Sequence, residues 1–231
     1  MSNTMALNRK RAPGMRVLLL WCVAAWVPAA WSQGADDDRG QQLVDNFLTQ
    51  VITLEGRFEQ SLIDADGAVV ERTSGTLEVA RPGRFRWAYS EPYEQCLIAD
   101  GLNVWSYDVD LAQVTVKPQA EALANTPALL LGGGTDALLQ FEYGGAVDEA
   151  GTTWVRMLPK DTESGFVRLE MGFFDGQLSR MVFFDNLEQT TLVALYDVRI
   201  NEPIADERFE FVVPDDVDLV GVPVTAAETA P

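Results

Sequence analysis

Along most of the chain apolar residues recur at intervals of two, broken by short clusters of Gly, Pro, Asp and Asn, and this rhythm predicts a succession of β-strands. It is clearest between Ser74 and Pro118. There Phe85, Trp87 and Tyr89 alternate with Arg84, Arg86 and Ala88, which places three rings on one face of a strand. Val104 and Ser106 alternate with Trp105 and Tyr107, and Val114 shares a side with Val116 in the run from Leu111 to Val116. The connections are too short to hold crossover helices, so an aromatic face passed from strand to strand implies an antiparallel sheet. Further strands are expected at Thr53 to Gln60, Gly67 to Ala80, Trp154 to Leu158, Phe166 to Phe174, Gln177 to Phe184, Thr190 to Ile200 and Arg208 to Val213. Asp175-Gly176 is the sharpest hairpin signal. Pro82-Gly83 ends the strand at Ala80 and lets the chain re-enter at Arg84.

Two stretches change period. Leu43, Val44, Phe47, Leu48 and Val51 form a single stripe at helical spacing, preceded by a polar leader or cap from Asp36 to Arg39. Gln119 to Asn125 is helix-like, and a second short helix starts with Thr126 as cap and Pro127 in its first turn, continues to Leu131 and stops at Gly132, Gly133 and Gly134. The pattern amounts to about eleven strands and two or three short helices in one domain. At the N-terminus, Arg9, Lys10, Arg11 and Arg16 precede an apolar run from Val17 to Ala30, the layout of a cleaved secretory signal. We expect a signal peptide over 1–32 with cleavage near 32–34, a folded domain over 33–220 and a flexible tail over 221–231.

Charge narrows the partners. The 231-residue chain carries a net charge of −18, and loss of residues 1–32 removes four basic residues and no acidic one, giving −22. Such a surface repels phosphate backbones and anionic headgroups, so no nucleic-acid partner is expected. There is no histidine, which removes the commonest metal ligand and neutral-pH base. Cys22 lies in the signal core, leaving Cys96 as a small buried hydrophobe without disulfide, zinc site or catalytic base. Asp36 to Asp38, and Asp108 with Asp110, lack the ligand pattern of a calcium loop, and Gly132 to Gly134 lack the Lys-Ser/Thr of a phosphate loop. No catalytic residue, metal or cofactor is expected. Arginine is more selective: Arg84 and Arg86 oppose the aromatic face, whereas Arg81, before the proline, can point differently and bond helix-end or loop carbonyls. Bracing of the fold and closure of a site both fit that residue.

The order of short motifs resembles the periplasmic outer-membrane lipoprotein carriers, the LolA family. They are Gly56-Arg57-Phe58-Glu59-Gln60, Gly75-Thr76-Leu77, Ala80-Arg81-Pro82-Gly83-Arg84-Phe85-Arg86-Trp87, Glu91-Pro92, Asp100-Gly101, Val104-Trp105 with Tyr107, Asn125-Thr126-Pro127, Leu158-Pro159-Lys160 and Phe209-Glu210-Phe211 with Pro214. The resemblance implies a mainly β fold, a single unclosed, strongly curved antiparallel β-barrel with short helices forming a lid over an apolar cavity. It implies a non-enzymatic periplasmic chaperone that takes acylated lipoproteins from an inner-membrane ATP-driven exporter of the ABC transporter type and delivers them to an outer-membrane lipoprotein receptor. A monomer is expected. Carried onto this sequence, the resemblance makes Arg81 the lid clamp and places Leu48 and Leu131 in the lid. Combined with the alternation, it assigns Phe85, Trp87, Tyr89, Trp105, Tyr107, Leu129 and Leu130 to the acyl-chain cavity. Ala128 stands where the family carries a bulkier residue. An outer-membrane receptor of similar fold, a non-enzymatic envelope interaction protein and a secreted hydrolase are the alternatives.

Overall fold

The computed structural model describes residues 33–123, 128–132, 138–161 and 164–225, apart from the side chains of residues 33–37, 128 and 129. The signal segment, Asn125, Thr126, Pro127, Gly133, Gly134 and the last residues of the tail lie outside the described residues, as does the side chain of Leu129. Helix α1 (Gln33–Gln50) leads into β1 (Thr53–Ile63), β2 (Val69–Ala80), β3 (Arg84–Glu91), β4 (Gln95–Asp100), β5 (Asn103–Asp108) and β6 (Gln113–Pro118). Two short helices, α2 (Gln119–Ala122) and α3 (Ala128–Gly132), precede β7 (Phe141–Glu149), β8 (Thr152–Pro159), β9 (Phe166–Phe174), β10 (Gln177–Asp185), β11 (Thr190–Ile200) and β12 (Asp218–Val220). All twelve strands form one sheet in the order β12-β6-β5-β4-β3-β2-β1-β11-β10-β9-β8-β7. The sheet is open, with β12 and β7 at its two edges rather than joined, as the resemblance implied. Only the β12–β6 pair is parallel among the described ladders.

The structure differs from the sequence pattern in four places. Helix α1 starts well before its apolar stripe, because the acidic residues upstream suit a helix N-terminus without contributing an apolar face. Strand β7 is masked in sequence by Gly144-Gly145, where the register with β8 shifts between Tyr143 and Ala146 and the alternation changes phase. Arg208 to Val213 is not a strand: Asp206–Phe209 forms a 3-10 turn, and the following residues lay Phe211 and Val213 on the sheet without joining a ladder. The three-residue β12 is too short to show a period.

Each face of the sheet has its own apolar cluster. The larger gathers Phe58, Leu77, Phe85, Trp87 and Val104 from one half, Val155, Met171, Phe173 and Val193 from the other, and Val44, Phe47, Leu48, Leu130 and Leu131 from α1 and α3. We call this the inner face. The smaller cluster joins Ile98, Trp105, Val114 and Val116 to Tyr107, Phe211, Val213 and Val217 on the outer face. Close approach of backbones depends on two glycines. A methyl group at Gly75 would sit 1.9 Å from the Ala88 carbonyl oxygen, and one at Gly40 in α1 would sit 2.4 Å from Ala146 Cβ of β7.

Candidate functional site

The site forms where β2 turns into β3 beneath the ends of two helices. Ala80 is the last residue of β2, and the Arg81 N–H donates to the Ile52 carbonyl at 2.8 Å, so the chain leaving α1 is joined to this corner through its backbone. Arg81 lies under the helices, only 8% exposed. Its Nη1 donates to the carbonyl oxygens of Phe47, at 3.2 Å, and Val51; its Nη2 donates to Leu130 O at 3.2 Å. The guanidinium carbon stands 4.6 Å from the centre of the Phe47 ring. One cation therefore ties α1, α3 and the sheet corner together through carbonyls that the ends of helices leave unpaired. Burial pushes the Arg81 pKa down to about 10, which still leaves it charged at neutral pH.

The floor of the site is the inner face of β1 to β4. Phe58 meets Trp87 edge-on at 5.3 Å and Tyr89 at 5.2 Å, while Trp87 and Tyr89 stack at 6.3 Å. Burial, with a contribution from Glu71, raises the Tyr89 phenol to about 12. Phe85 touches the end of α3, where a methyl group on Gly132 would stand 3.2 Å from its ring, and the Gly83 N–H donates to Gly132 O at 2.8 Å. Leu48, Leu130 and Leu131 point into the same cluster, fully buried. The space between helices and sheet is thus occupied by the protein's own apolar side chains. A cleft of about 170 Å³ opens beside the end of α1, lined by Phe47, Leu54, Leu178 and Ile200 among others.

The structure brings Arg81, Phe85, Trp87, Tyr89, Leu48, Leu130 and Leu131 together on one face. It removes Trp105 and Tyr107 from that set. Pairing of Phe85 with Ala99, and of Ala99 with Val104, puts Val104 and Ser106 on the inner face and turns Trp105 and Tyr107 outward. There they pack on Phe211 at 5.4 and 5.9 Å, and the Trp105 indole donates to Asp100 Oδ2 at 2.7 Å. Alternation within a strand does not state its phase relative to the neighbouring strand, and the larger rings of β5 suggested the wrong one. Arg84 and Arg86 do face outward, Arg84 to Asp206 at 2.7 Å and Arg86 to Glu78 at 3.8 Å.

Two contributors were not singled out in the sequence. Phe47 supplies both a carbonyl and a ring to Arg81; its place in the helical stripe marked it only as core. Gln119 links the β2–β3 and β4–β5 turns, donating to Gly83 O at 2.7 Å and accepting from the Gly101 N–H at 3.0 Å. Cys96 is half-buried on the outer face, and its thiol pKa is raised chiefly by burial. Among the described residues, no group of His, Cys, Asp or Glu is placed to hold a metal ion.

The described residues thus form an open, largely antiparallel sheet whose apolar inner face is capped by α1 and α3. Residues 49–212 match the family profile described as outer membrane lipoprotein carrier protein LolA. The outer-membrane lipoprotein carrier protein of Methylobacillus flagellatus is 34% identical over 90% of this chain and all of its own length. That of Halorhodospira halophila is 38% identical over 77% of this chain and 84% of its own. Among solved structures, a LolA superfamily protein from Nitrosomonas europaea aligns over 76% of this chain and 97% of its own, with 9% identity and a TM-score of 0.47. The chain belongs to the LolA family of periplasmic outer-membrane lipoprotein carriers, whose members are carriers and not enzymes.

Proposed function

We propose that this chain shields the acyl chains of lipoproteins between the inner face of its sheet and the helices α1 and α3, and that Arg81 holds this lid shut when no cargo is present. The carrying observation is the three-way hydrogen bonding of Arg81 to Phe47, Val51 and Leu130 above an interior of rings and aliphatic chains. Curvature of the sheet around that interior is supported by Phe47, whose ring meets Phe173 of β9 at 6.3 Å and Arg81 at 4.6 Å. Four strand steps separate β2 from β9, about 19 Å across a flat sheet at ~4.8 Å per step. An acyl chain entering the interior gains roughly 0.8 kcal/mol per buried CH₂. Breaking the Arg81 bonds offsets part of that gain, so cargo is held firmly enough to cross the periplasm and loosely enough to leave.

In this reading residues 1–32 export the chain, an inner-membrane ATP-driven exporter supplies the lipoprotein, and an outer-membrane receptor accepts it. The test is purification from the periplasm without detergent, followed by mass spectrometry of bound material and transfer assays with exporter-containing and receptor-containing membranes. Acylated protein should co-purify with the chain and pass to the receptor. A chain that never binds acylated protein in the transfer assay, while remaining folded, would refute the carrier reading.

A further inference from the structure

The tryptophans of β3 and β5 meet different fates. Trp105, on the outer face, has its indole N–H bonded to Asp100 Oδ2 at 2.7 Å. Trp87, on the inner face, is 7% exposed, and its Nε1 is buried without a hydrogen-bond partner. Its surroundings explain why. The strand register sets Leu77 and Leu97 on either side of it, and the rings of Phe58 and Tyr89 pack against it. Hydrocarbon and ring faces offer no lone pair, whereas buried indole N–H groups ordinarily find an acceptor. A phenylalanine would give the same strand face an aromatic ring with no donor to satisfy. The unpaired donor is therefore a standing cost to the empty protein, and a ligand acceptor can remove it.

Resting on the carrier reading, we propose that the Trp87 indole N–H is the polar anchor of the cargo site, donating to an acyl carbonyl at the head of a bound chain. A neutral carbonyl suits this position better than a carboxylate, because the neighbours Leu77, Leu97, Phe58 and Tyr89 carry no positive charge to balance one. Trp87 would then fix how deep the chain sits, while the apolar walls supply affinity without register. Trp87 acts as a binding and specificity residue, separate from the closure role of Arg81.

The test compares two synthetic lipopeptides of equal chain length, one with ester-linked acyl chains and one with ether-linked alkyl chains lacking the carbonyls. Their binding to wild type and to Trp87→Phe is measured, and the indole ¹H–¹⁵N resonance of Trp87 is followed by NMR. Wild type should bind the ester about tenfold more tightly than the ether, as one recovered hydrogen bond implies, and the Trp87 resonance should move downfield only with the ester. Trp87→Phe should bind both alike. If it folds poorly, benzothienylalanine at position 87 keeps the ring volume and removes the donor. Equal binding of ester and ether by wild type, or a preference that survives loss of the N–H, would overturn the anchor and leave the carrier reading standing. Binding of neither lipid would refute both.

Discussion

Replacement of Arg81 by leucine removes a group that ties α1, α3 and the sheet corner together. Three charge-assisted bonds at the lower end of their usual worth contribute about 4–5 kcal/mol, and the contact with Phe47 about 1 kcal/mol. Against this stands desolvation: a pKa lowered from 12.5 to about 10 corresponds to about 3 kcal/mol. The balance favours closure by about 2–3 kcal/mol, so Arg81→Leu should shift the lid equilibrium toward the open form by roughly 30- to 160-fold. Amide hydrogen exchange reads this directly, since the N–H groups at the end of α1 and in α3 should exchange faster by a similar factor while β1 and β11 keep their protection. Cargo should load normally and be retained, because opening no longer consumes part of the binding energy; hand-over to the receptor is the step that fails. Arg84→Leu is the control. It removes the same charge two residues after Pro82 but faces outward to Asp206, so it should leave lid exchange and transfer unchanged. Normal transfer by the Arg81 variant, or an equal defect in both variants that follows their melting temperatures, would refute the clamp.

Three further outcomes are expected. Between pH 10 and 12 the unfolded chain loses the Tyr89 proton that the folded chain keeps, so stability falls as pH rises through this window, by up to about 3 kcal/mol; Arg81 acts in the opposite sense there, so the measurement is the difference between wild type and Tyr89→Phe in denaturant titrations, and the variant should lack this loss. Glu78 is buried, and its Oε1 accepts from Arg208 Nε and Nη2 at 2.9 and 2.7 Å, so Glu78→Gln should cost about 2 kcal/mol, read as a lower melting temperature, with part of it recovered when Arg208 is also replaced by glutamine. Gly75→Ala should cost about 3 kcal/mol, because the new methyl group collides with a backbone carbonyl and not with a movable side chain.

The parts of this fold that sequence made legible are those with local causes. The Asp175-Gly176 hairpin, the Pro82-Gly83 turn and the α1 stripe each carry their signal within a few residues, and all three stand in the structure as read. Phe85, Trp87 and Tyr89 were placed together correctly because one strand's alternation decides their common face. Trp105 and Tyr107 were misplaced because their face depends on registers passed through β4, a relation between strands that no single strand encodes. The C-terminal segment deceived for a related reason: Phe209, Phe211 and Val213 alternate as a strand would, yet Phe211 and Val213 pack on the outer-face cluster while their backbone joins no ladder. Phe47 was legible as core but not as a partner of Arg81, since its carbonyl carries no side-chain signature.

The seam between β1 and β11 has a consequence for how the chain reaches its native state. Every other long antiparallel ladder among the described residues joins strands adjacent in sequence, whereas Arg57 and Asp197, ion-paired across this seam, are 140 positions apart. The meander from β1 to β6 can therefore assemble early from nearby hairpins, but one side of β1 has no neighbour until β11 has been made. During that interval the barrier is set by loop closure, and the waiting strand is a template for pairing with another chain. Its outward side chains include Arg57, Glu55 and Glu59, whose charges discourage two such intermediates from meeting edge to edge.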